Sequence, residues 1–431
     1  MGPFETGGTV LVAALVMIFL RAPVGLALGL AAFAGAFALL PATAAISLMS
    51  RVPYEFTASW EFAAVPLFLA MGTIITRSGM ADGLIILAER SLRRLPGGLA
   101  IATNFAGAGF GAASGSSLAT TVALGRMAIP QMLRAGYNPG LATATTACAG
   151  TLAALIPPSI PLIVYGILAE VSVAKLFFAG IVPGLLTAFA YGAMIYLRCR
   201  FNPDLAPRSE TESDETVGWS VAAFPVIAIV ILGGIYGGYF SPSEAGSVGA
   251  LAAIALAFCQ PGFNWRELAL ALAEAARQTA AILFVAAGAF MLTRTMALTG
   301  LPNALADLVQ TWSVSPLLLI LASSVLFLLL GMVLDPFGVM LLSVAVLLPA
   351  FERLGFDLIW MGIIIVKFIE IGLVTPPVGL NVFAAKSVAP PEIGLTVIFR
   401  GVSWFLLAEA VVMAILFLFP ALTLWLPNNL L

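Results

Sequence analysis

Histidine is absent from this chain of 431 residues, and charged residues make up only 9% of it. Without histidine, a Ser-His-Asp triad, the usual zinc sites and haem ligation through histidine are excluded. The three cysteines, Cys148, Cys199 and Cys259, are scattered and odd in number, which is typical of small apolar residues rather than of a disulfide framework. No G-x-x-x-x-G-K-S/T sequence occurs, so the chain contains no ATP-driven motor of the P-loop type.

Apolar residues are what the chain has in excess, at 61% of the sequence. Soluble domains carry about 25% charged residues, so this composition indicates an integral membrane protein. At about 20 residues per span, the length allows on the order of ten to twelve crossings. The apolar runs are continuous rather than alternating, which predicts helical spans and an all-α polytopic fold.

Two interruptions of the apolar pattern stand out in the first half. Ser114-Gly115-Ser116-Ser117 lies in the middle of residues 96–133, a segment with arginines at both ends, which predicts a re-entrant hairpin with this sequence at its tip. Pro157-Pro158 interrupts residues 138–170 and predicts a broken span. Irregular backbone within a membrane is tolerated only where protein or a water-filled cavity satisfies it. Paired broken elements near the midplane are how secondary transporters build a binding site.

The second half repeats this order at a constant spacing of 219 residues. It contains a predicted hairpin at 316–351 and a predicted broken span at 359–386. An odd number of membrane crossings between the halves would make the two repeats inverted. In the topology that results, most of the basic residues lie on the cytoplasmic side of the membrane, as the positive-inside rule expects. The matching pairs are Pro130 and Pro349, Gly136 and Gly355, Pro157 and Pro376, and Pro158 and Pro377.

These elements divide the chain into five segments. Residues 1–95 form scaffold spans and an amphipathic arm at 81–95, and residues 96–173 form the first half of a transport domain. Residues 174–315 form further scaffold spans, with a cytoplasmic loop at 201–219 and a second arm at 301–313. Residues 316–390 form the second half of the transport domain, and residues 391–431 a C-terminal span.

Oxygen-rich breaks suit a hard cation such as sodium, and helix N-termini beside them suit an anionic substrate. Tight helix packing through small residues is the plain alternative for a single Ser/Gly stretch, but it does not explain matched pairs of breaks. The candidate sodium ligands are Ser114, Gly115, Ser116, Thr151, Pro157, Gly331, Asp335, Gly372, Thr375 and Pro376. The candidate substrate-binding residues are Ser117, Thr120, Ser159, Gly379 and Asn381.

One predicted span carries two charged residues that are three positions apart, Lys367 and Glu370. They are within reach of each other on a helix. Intramembrane charges are functional by default, but a structural pair that holds the helix in place is an equal alternative. No other ligand than sodium and the substrate is expected: the sequence predicts no organic cofactor and no nucleic-acid partner.

The motifs resemble those of the large membrane subunit of the tripartite ATP-independent periplasmic (TRAP) transporters, the DctM-like family. The resemblance covers nearly the whole length of the chain. Seven groups of residues carry it, and the run at 370–383 is the most specific of them. These are 65–72 (VPLFLAMG), 114–120 (SGSSLAT), 130–132 (PQM) with 136–137 (GY), 156–159 (IPPS), 241–245 (SPSEA), 335–336 (DP) and 370–383 (EIGLVTPPVGLNVF).

The resemblance implies a sodium-driven importer of organic acids, such as C4-dicarboxylates, sialic acid or other sugar acids, in the bacterial inner membrane. It also implies an elevator movement and two partners, a periplasmic substrate-binding protein and a small four-span membrane subunit on a separate polypeptide. A stand-alone sodium-coupled anion carrier is the alternative within transport. An intramembrane enzyme and a passive channel are the alternatives outside it, and the missing histidine disfavours the enzyme.

Overall fold

A computed structural model describes residues 2–80, 82–92, 94–207, 220–311, 315–332 and 334–430. Throughout these residues the regular structure is helical, and no strand occurs among them, which confirms the predicted all-α fold. Most of the predicted loop 201–219 lies outside the described residues, as do residues 81 and 93 of the first predicted arm and residues 312 and 313 of the second.

Within the described residues, each half of the chain contributes ten α-helices. Those of the first half are α1 Pro3–Phe19, α2 Val24–Leu39, α3 Ala42–Thr57, α4 Ala64–Arg77, α5 Asp82–Leu92, α6 Gly98–Ser114, α7 Ser117–Arg134, α8 Pro139–Thr151, α9 Ile160–Leu168 and α10 Val173–Phe201. Those of the second half are α11 Ser220–Tyr236, α12 Pro242–Ala257, α13 Trp265–Thr299, α14 Leu301–Thr311, α15 Pro316–Gly331, α16 Pro336–Arg353, α17 Leu358–Gly372, α18 Leu380–Val388, α19 Leu395–Leu418 and α20 Ala421–Leu430.

The helix boundaries follow the spacing of 219 residues seen in the sequence. Helices α7 and α16 begin and end 219 positions apart, and so do the two arm helices α5 and α14. The Pro157–Pro158 and Pro376–Pro377 peptide bonds, also 219 positions apart, are both cis. The two halves therefore share one order of elements, whereas their opposite orientation in the membrane stays a prediction.

One pair of elements differs from its prediction. The sequence predicts an amphipathic helix at 265–277 followed by a separate span at 280–296, but α13 is one continuous helix of 35 residues. The predicted boundary falls at the polar residues Gln278 and Thr279, but no proline or glycine stops the helix there. The matching region of the first half is broken, because α3 and α4 meet at a bend of 49° through the short 3₁₀ turn Trp60–Ala63.

Four of the described helices, α10, α13, α16 and α19, are long and apolar enough to cross a membrane alone, and α3 with α4 adds a fifth if that bent pair is one span. Several predicted crossings are divided between shorter helices, such as α8 with α9 and α17 with α18. Since neither half of a divided crossing reaches about 20 residues, counting single long helices misses them.

The helices pack in two groups. In the scaffold group, α2 and α4 lie along α13, and α12 lies along α4. In the hairpin group, α6 and α7 pack on α8, and α15 packs on α17. The sequence-based division puts α10 and α19 outside the two transport-domain segments. In the structure α10 packs on α6, α17 and α19, and α19 packs on α8, so we count both with the hairpin group. The groups meet where α13 contacts α16 and where α4 contacts α6.

Candidate functional site

The tip of the first hairpin is a two-residue break between α6 and α7. Gly115 has a φ of 59°, in the left-handed region where a side chain would be strained, and so ends α6. Ser116 begins α7 as its N-cap, since its hydroxyl accepts from the Ala119 amide at 3.4 Å. Behind the tip, the hydroxyls of Ser114 and Thr120 hydrogen bond to each other at 2.6 Å. The predicted position of this tip is confirmed.

The tip of the second hairpin also ends in a side chain that caps the next helix, but this side chain is a carboxylate. Asp335 is the N-cap of α16, and its carboxylate accepts from the Gly338 amide at 3.0 Å. Pro336 follows as the first helical residue, where its missing N–H costs nothing. Ser116 and Asp335 are 219 positions apart, so the repeat conserves the capping position while replacing a hydroxyl with a carboxylate.

Both tips lie against broken helices of their own half. A Cβ added to Gly115 would be 3.3 Å from the carbonyl oxygen of Pro158, in the break before α9. In the second half, a Cβ added to Gly372 would be 2.8 Å from the Cα of Gly331. Real Cβ atoms do not approach backbone this closely, so the end of α17 can meet the end of α15 only with glycine at position 372.

Glu370 joins the two halves. The hydroxyl of Ser117, at the first tip, donates to Oε1 of Glu370 on α17 at 2.7 Å. Glu370 is only 3% exposed, and its other oxygen, Oε2, is buried without a hydrogen-bond partner among the described residues. An unpaired buried oxygen of this kind costs about 1–3 kcal/mol, more if charged, so it marks a position where a further donor or cation would be bound favourably.

Lys367 does not pair with Glu370 as the sequence suggests. Its ammonium group forms a salt bridge with Glu409 on α19 and donates to the hydroxyl of Thr187 on α10 at 3.0 Å. The hydroxyl of Tyr191 donates to the other oxygen of Glu409. Sequence reasoning missed Glu409, although a lone acidic residue within the last apolar run was a signal for it. The two neighbouring charges on α17 therefore face different partners, and the Lys367 network ties α17 to α10 and α19.

A cavity of about 330 Å³ lies between the two tips and the scaffold group. The charged residues that line it, Asp335 and Glu370, are both acidic, and Gln278 on α13 adds an amide. Its remaining walls are mostly apolar. The full lining is Leu69, Gly115, Ser116, Ser117, Leu118, Ile160, Pro161, Gln278, Ala281, Ile282, Val285, Asp335, Pro336, Phe337 and Glu370.

The other predicted site residues do not line this cavity. Several of their hydroxyls bond to nearby backbone: Thr151 donates to the Cys148 carbonyl at 2.7 Å and Thr375 to the Ile371 carbonyl at 2.6 Å. Ser159 donates to the Ala154 carbonyl at 2.5 Å and caps α9. Gly331 and Gly372 form the contact between tip and break, and Thr120 lies behind the first tip. Pro157, Pro376 and Gly379 shape the two breaks, Gly379 with a φ of 63°.

Asn381 is the member of the predicted substrate set that links the halves a second time. It is fully buried, and its side-chain amide donates to the carbonyl of Ala147 on α8 at 3.5 Å. Its Oδ1 is buried without a partner among the described residues. Glu370 and Asn381 thus each carry an unpaired oxygen at a junction between the first and second halves.

The arrangement suits binding rather than bond-making chemistry. Acidic oxygens, hydroxyls and capped helix N-termini converge on the cavity, and such groups bind cations and hydrogen-bond donors. Across the described residues, no cluster of three or more His, Cys, Asp or Glu side chains forms a metal site. Sodium coordination by individual residues is not tested by this geometry and stays a prediction.

Comparison with known proteins identifies the family to which the chain is similar. Residues 11–422 match the family described as "Tripartite ATP-independent periplasmic transporter, DctM component". The chain is 35% identical over 381 residues to the C4-dicarboxylate TRAP transporter large permease protein DctM of Pseudomonas aeruginosa, covering 87% of this chain and 88% of that protein. It is 32% identical over 434 residues to the ectoine/5-hydroxyectoine TRAP transporter large permease protein UehC of Ruegeria pomeroyi, covering 97% and 98%.

Among solved structures, the Alcanivorax borkumensis YdaH transporter aligns with a TM-score of 0.63 at 15% identity, over 88% of this chain and 90% of that one. This likeness concerns the fold alone. The relatives are permeases rather than enzymes, and with several apolar helices the chain is a multi-pass protein of the bacterial inner membrane. The family match and the two relatives together show that the chain belongs to the DctM family, the large permeases of the TRAP transporters.

Proposed function

We propose that this permease is the large subunit of a sodium-coupled importer of organic acids, and that the cavity between the two hairpin tips is part of its transport site. The observation that carries the proposal is the hydrogen bond from Ser117 to Glu370, beside an unpaired Glu370 oxygen at the cavity wall. This oxygen, together with the Asp335 carboxylate, favours a bound cation. A cation there offsets the acidic wall, so that an anionic substrate can bind next to it.

The substrate class is an organic acid small enough for the cavity of about 330 Å³. The names of the relatives support this class, since one is a permease for C4-dicarboxylates and another for ectoine and 5-hydroxyectoine. Cavities of about 300–1,000 Å³ are the usual size for small-molecule sites. The first tip and the break beside it supply the N-termini of α7 and α9 close to the cavity, and helix N-termini favour carboxylates.

The transport movement is a sliding of the hairpin group along the scaffold group. Each tip contacts a break of its own half. Ser117 and Asn381 form hydrogen bonds between the two halves, so the hairpin group can move as one rigid body. A larger cavity of about 830 Å³ lies where the two groups approach, lined by Glu61 and Arg294 on one side and by Ile163 and Glu170 on the other. Space between the groups is what a sliding movement requires.

Two partners complete the proposed assembly, a small four-span membrane subunit and a periplasmic substrate-binding protein. Membership of a tripartite family supports both. The test is uptake of radiolabelled C4-dicarboxylate, sugar acid and ectoine into proteoliposomes that contain the permease with and without each partner. We expect uptake only with both partners and an inward sodium gradient.

Replacement of sodium by potassium is the decisive control for coupling. Uptake that persists in potassium, or that a pH gradient alone drives, would contradict sodium coupling while leaving the cavity assignment open. Sodium-dependent uptake by the permease alone would instead favour a stand-alone anion carrier. Flux that follows the substrate gradient regardless of sodium would identify a passive channel.

A further inference from the structure

A groove on the outer face of the hairpin group, which shares no lining residue with the cavity between the tips, has the features of a lipid site. It runs between α10 and α19 and encloses about 730 Å³. It is lined by the small residues Ala190 and Ala193 and by Leu197 and Leu407, which are 51% and 62% exposed. At one end lie Arg198 and Trp404. The groove is thus apolar along most of its length and basic at one end.

The length of the groove matches one leaflet of a bilayer. It extends along α10 from Ala190 to Asn202, which at a rise of about 1.5 Å per residue is about 18 Å. The hydrocarbon core of a membrane is about 30 Å thick, so half of it is about 15 Å. The end with Arg198 carries a second arginine, Arg200, and the positive-inside rule assigns such an end to the cytoplasm. The groove therefore spans the cytoplasmic leaflet, with its basic end at the headgroup level.

Arg198 is held in place by stacking on Trp404, but one of its hydrogen-bond donors has no partner among the described residues. Its guanidinium carbon lies 4.6 Å from the centroid of the Trp404 ring, a cation–π arrangement that uses the flat face of the group. Its Nη1 is buried and has no hydrogen-bond partner among the described residues. Because a guanidinium presents its donors along its edge, stacking leaves them free for a planar or tetrahedral oxyanion.

We propose that this groove binds an anionic phospholipid of the cytoplasmic leaflet, with its phosphate at Arg198 and one acyl chain along Leu197, Ala193 and Ala190. A basic pocket between helices on the cytoplasmic side is the arrangement that recognises acidic headgroups. An apolar protein segment would fill the groove but leave the Arg198 donor unpaired, at a cost. A lipid satisfies both parts, and it requires neither the transport partners nor sodium.

The test is native mass spectrometry of the purified full chain in neutral detergent, titrated with phosphatidylglycerol or phosphatidylcholine of the same acyl chains. We expect the first phosphatidylglycerol to bind about five-fold more tightly than phosphatidylcholine, the preference that one basic residue confers. Arg198→Gln should abolish this preference. Arg200→Gln is the matched control, since Arg200 is exposed on the same helix and does not line the groove, and it should retain the preference.

A second variant tests the acyl part without touching the charge. Ala193→Trp places a bulky apolar side chain in the groove, at an exposed position where folding tolerates it, and should weaken binding of both lipids. Equal binding of the two lipids by the unmodified chain, or an unchanged preference in Arg198→Gln, would overturn the proposal. So would a preference that appears only after Glu210, Glu212, Asp214 and Glu215 are replaced by serine, because Arg198 would then be engaged by that acidic segment.

Discussion

Ser117, the first residue of α7, donates a 2.7 Å hydrogen bond to Glu370 on α17, 253 positions further along the chain. The first hairpin is therefore bonded to the broken helix of the other half as well as placed against the break of its own. Both residues line the cavity between the tips. A change in the charge of Glu370, or the binding of a ligand to its carboxylate, thus acts directly on the first tip.

Glu370→Gln should reduce uptake in proteoliposomes by at least about ten-fold, because it removes the charge that a bound cation would balance while keeping the size of the side chain and a hydrogen bond to Ser117. Ser117→Ala should have a smaller effect on rate and raise the sodium concentration at half-maximal uptake. Glu392→Gln, on an exposed loop of the same half, is the control. Wild-type uptake with unchanged sodium dependence in Glu370→Gln would exclude Glu370 from the transport site.

Asp335 caps α16 and also lines the cavity, and two substitutions separate these roles. Asp335→Asn keeps a capping oxygen but loses the charge, whereas Asp335→Ala loses both, and loss of a cap costs about 0.5–2 kcal/mol. We expect both variants to lose sodium-dependent uptake, and the alanine variant alone to lower the melting temperature. If Asp335→Asn transports normally, the residue serves only as a cap.

The salt bridge between Lys367 and Glu409 is almost wholly buried, with side chains 1% and 4% exposed. Lys367→Met should lower the free energy of unfolding by about 3–5 kcal/mol, because it leaves an uncompensated charge among α10, α17 and α19. The double variant Lys367→Met with Glu409→Met should recover most of this loss. Thermal unfolding in detergent, followed by tryptophan fluorescence, measures both.

A surface pair provides the comparison for that measurement. Arg353 and Asp307 form an exposed salt bridge between α16 and α14, so Asp307→Asn should cost no more than about 1 kcal/mol. If Lys367→Met is as mild as Asp307→Asn, the buried network does not hold the three helices together. Full recovery by the double variant, with normal uptake, would show that the network is structural and takes no part in transport.

Gly372 should not tolerate a side chain. Its Cβ would lie 2.8 Å from the backbone of Gly331, so Gly372→Ala must separate the second tip from its break, and we expect uptake to fall at least about ten-fold. Gly233→Ala, within α11 and with nothing within 4 Å of the added carbon, is the matched control and should be neutral or stabilising. Equal behaviour of the two variants in uptake would mean that the close approach at Gly331 is not needed for transport.

Ser116 lines the cavity and is half-buried, which makes it the better reporter of the movement than the fully buried Ser159. Cys259, the exposed native thiol, must first be replaced, and Cys148 and Cys199 are buried. Ser116→Cys should react with a membrane-impermeant maleimide from the cytoplasm in one state and from the periplasm in the other, as sodium and substrate are varied. Reaction from a single side under all conditions would contradict the sliding movement.

Much of this protein is determined by local sequence. The apolar runs predict the helices, and the glycine, serine and proline positions predict both tips and both breaks, because these residues act on their own backbone whatever surrounds them. The spacing of 219 residues, visible in the prolines, recurs in the bounds of α7 and α16. Local rules failed where no breaker was present, at the junction within α13.

Tertiary structure decided which of these elements meet. Lys367 and Glu370 are neighbours along one helix, yet their partners, Glu409 and Ser117, lie 42 positions after the first and 253 positions before the second. The spacing along a helix states which side chains share a face, but a buried charge takes whichever oppositely charged or hydrogen-bonding group the packed helices bring to it. The packing of α10 and α19 on the hairpins, and with it the groove at Arg198, follows from such long-range contacts and has no local signature.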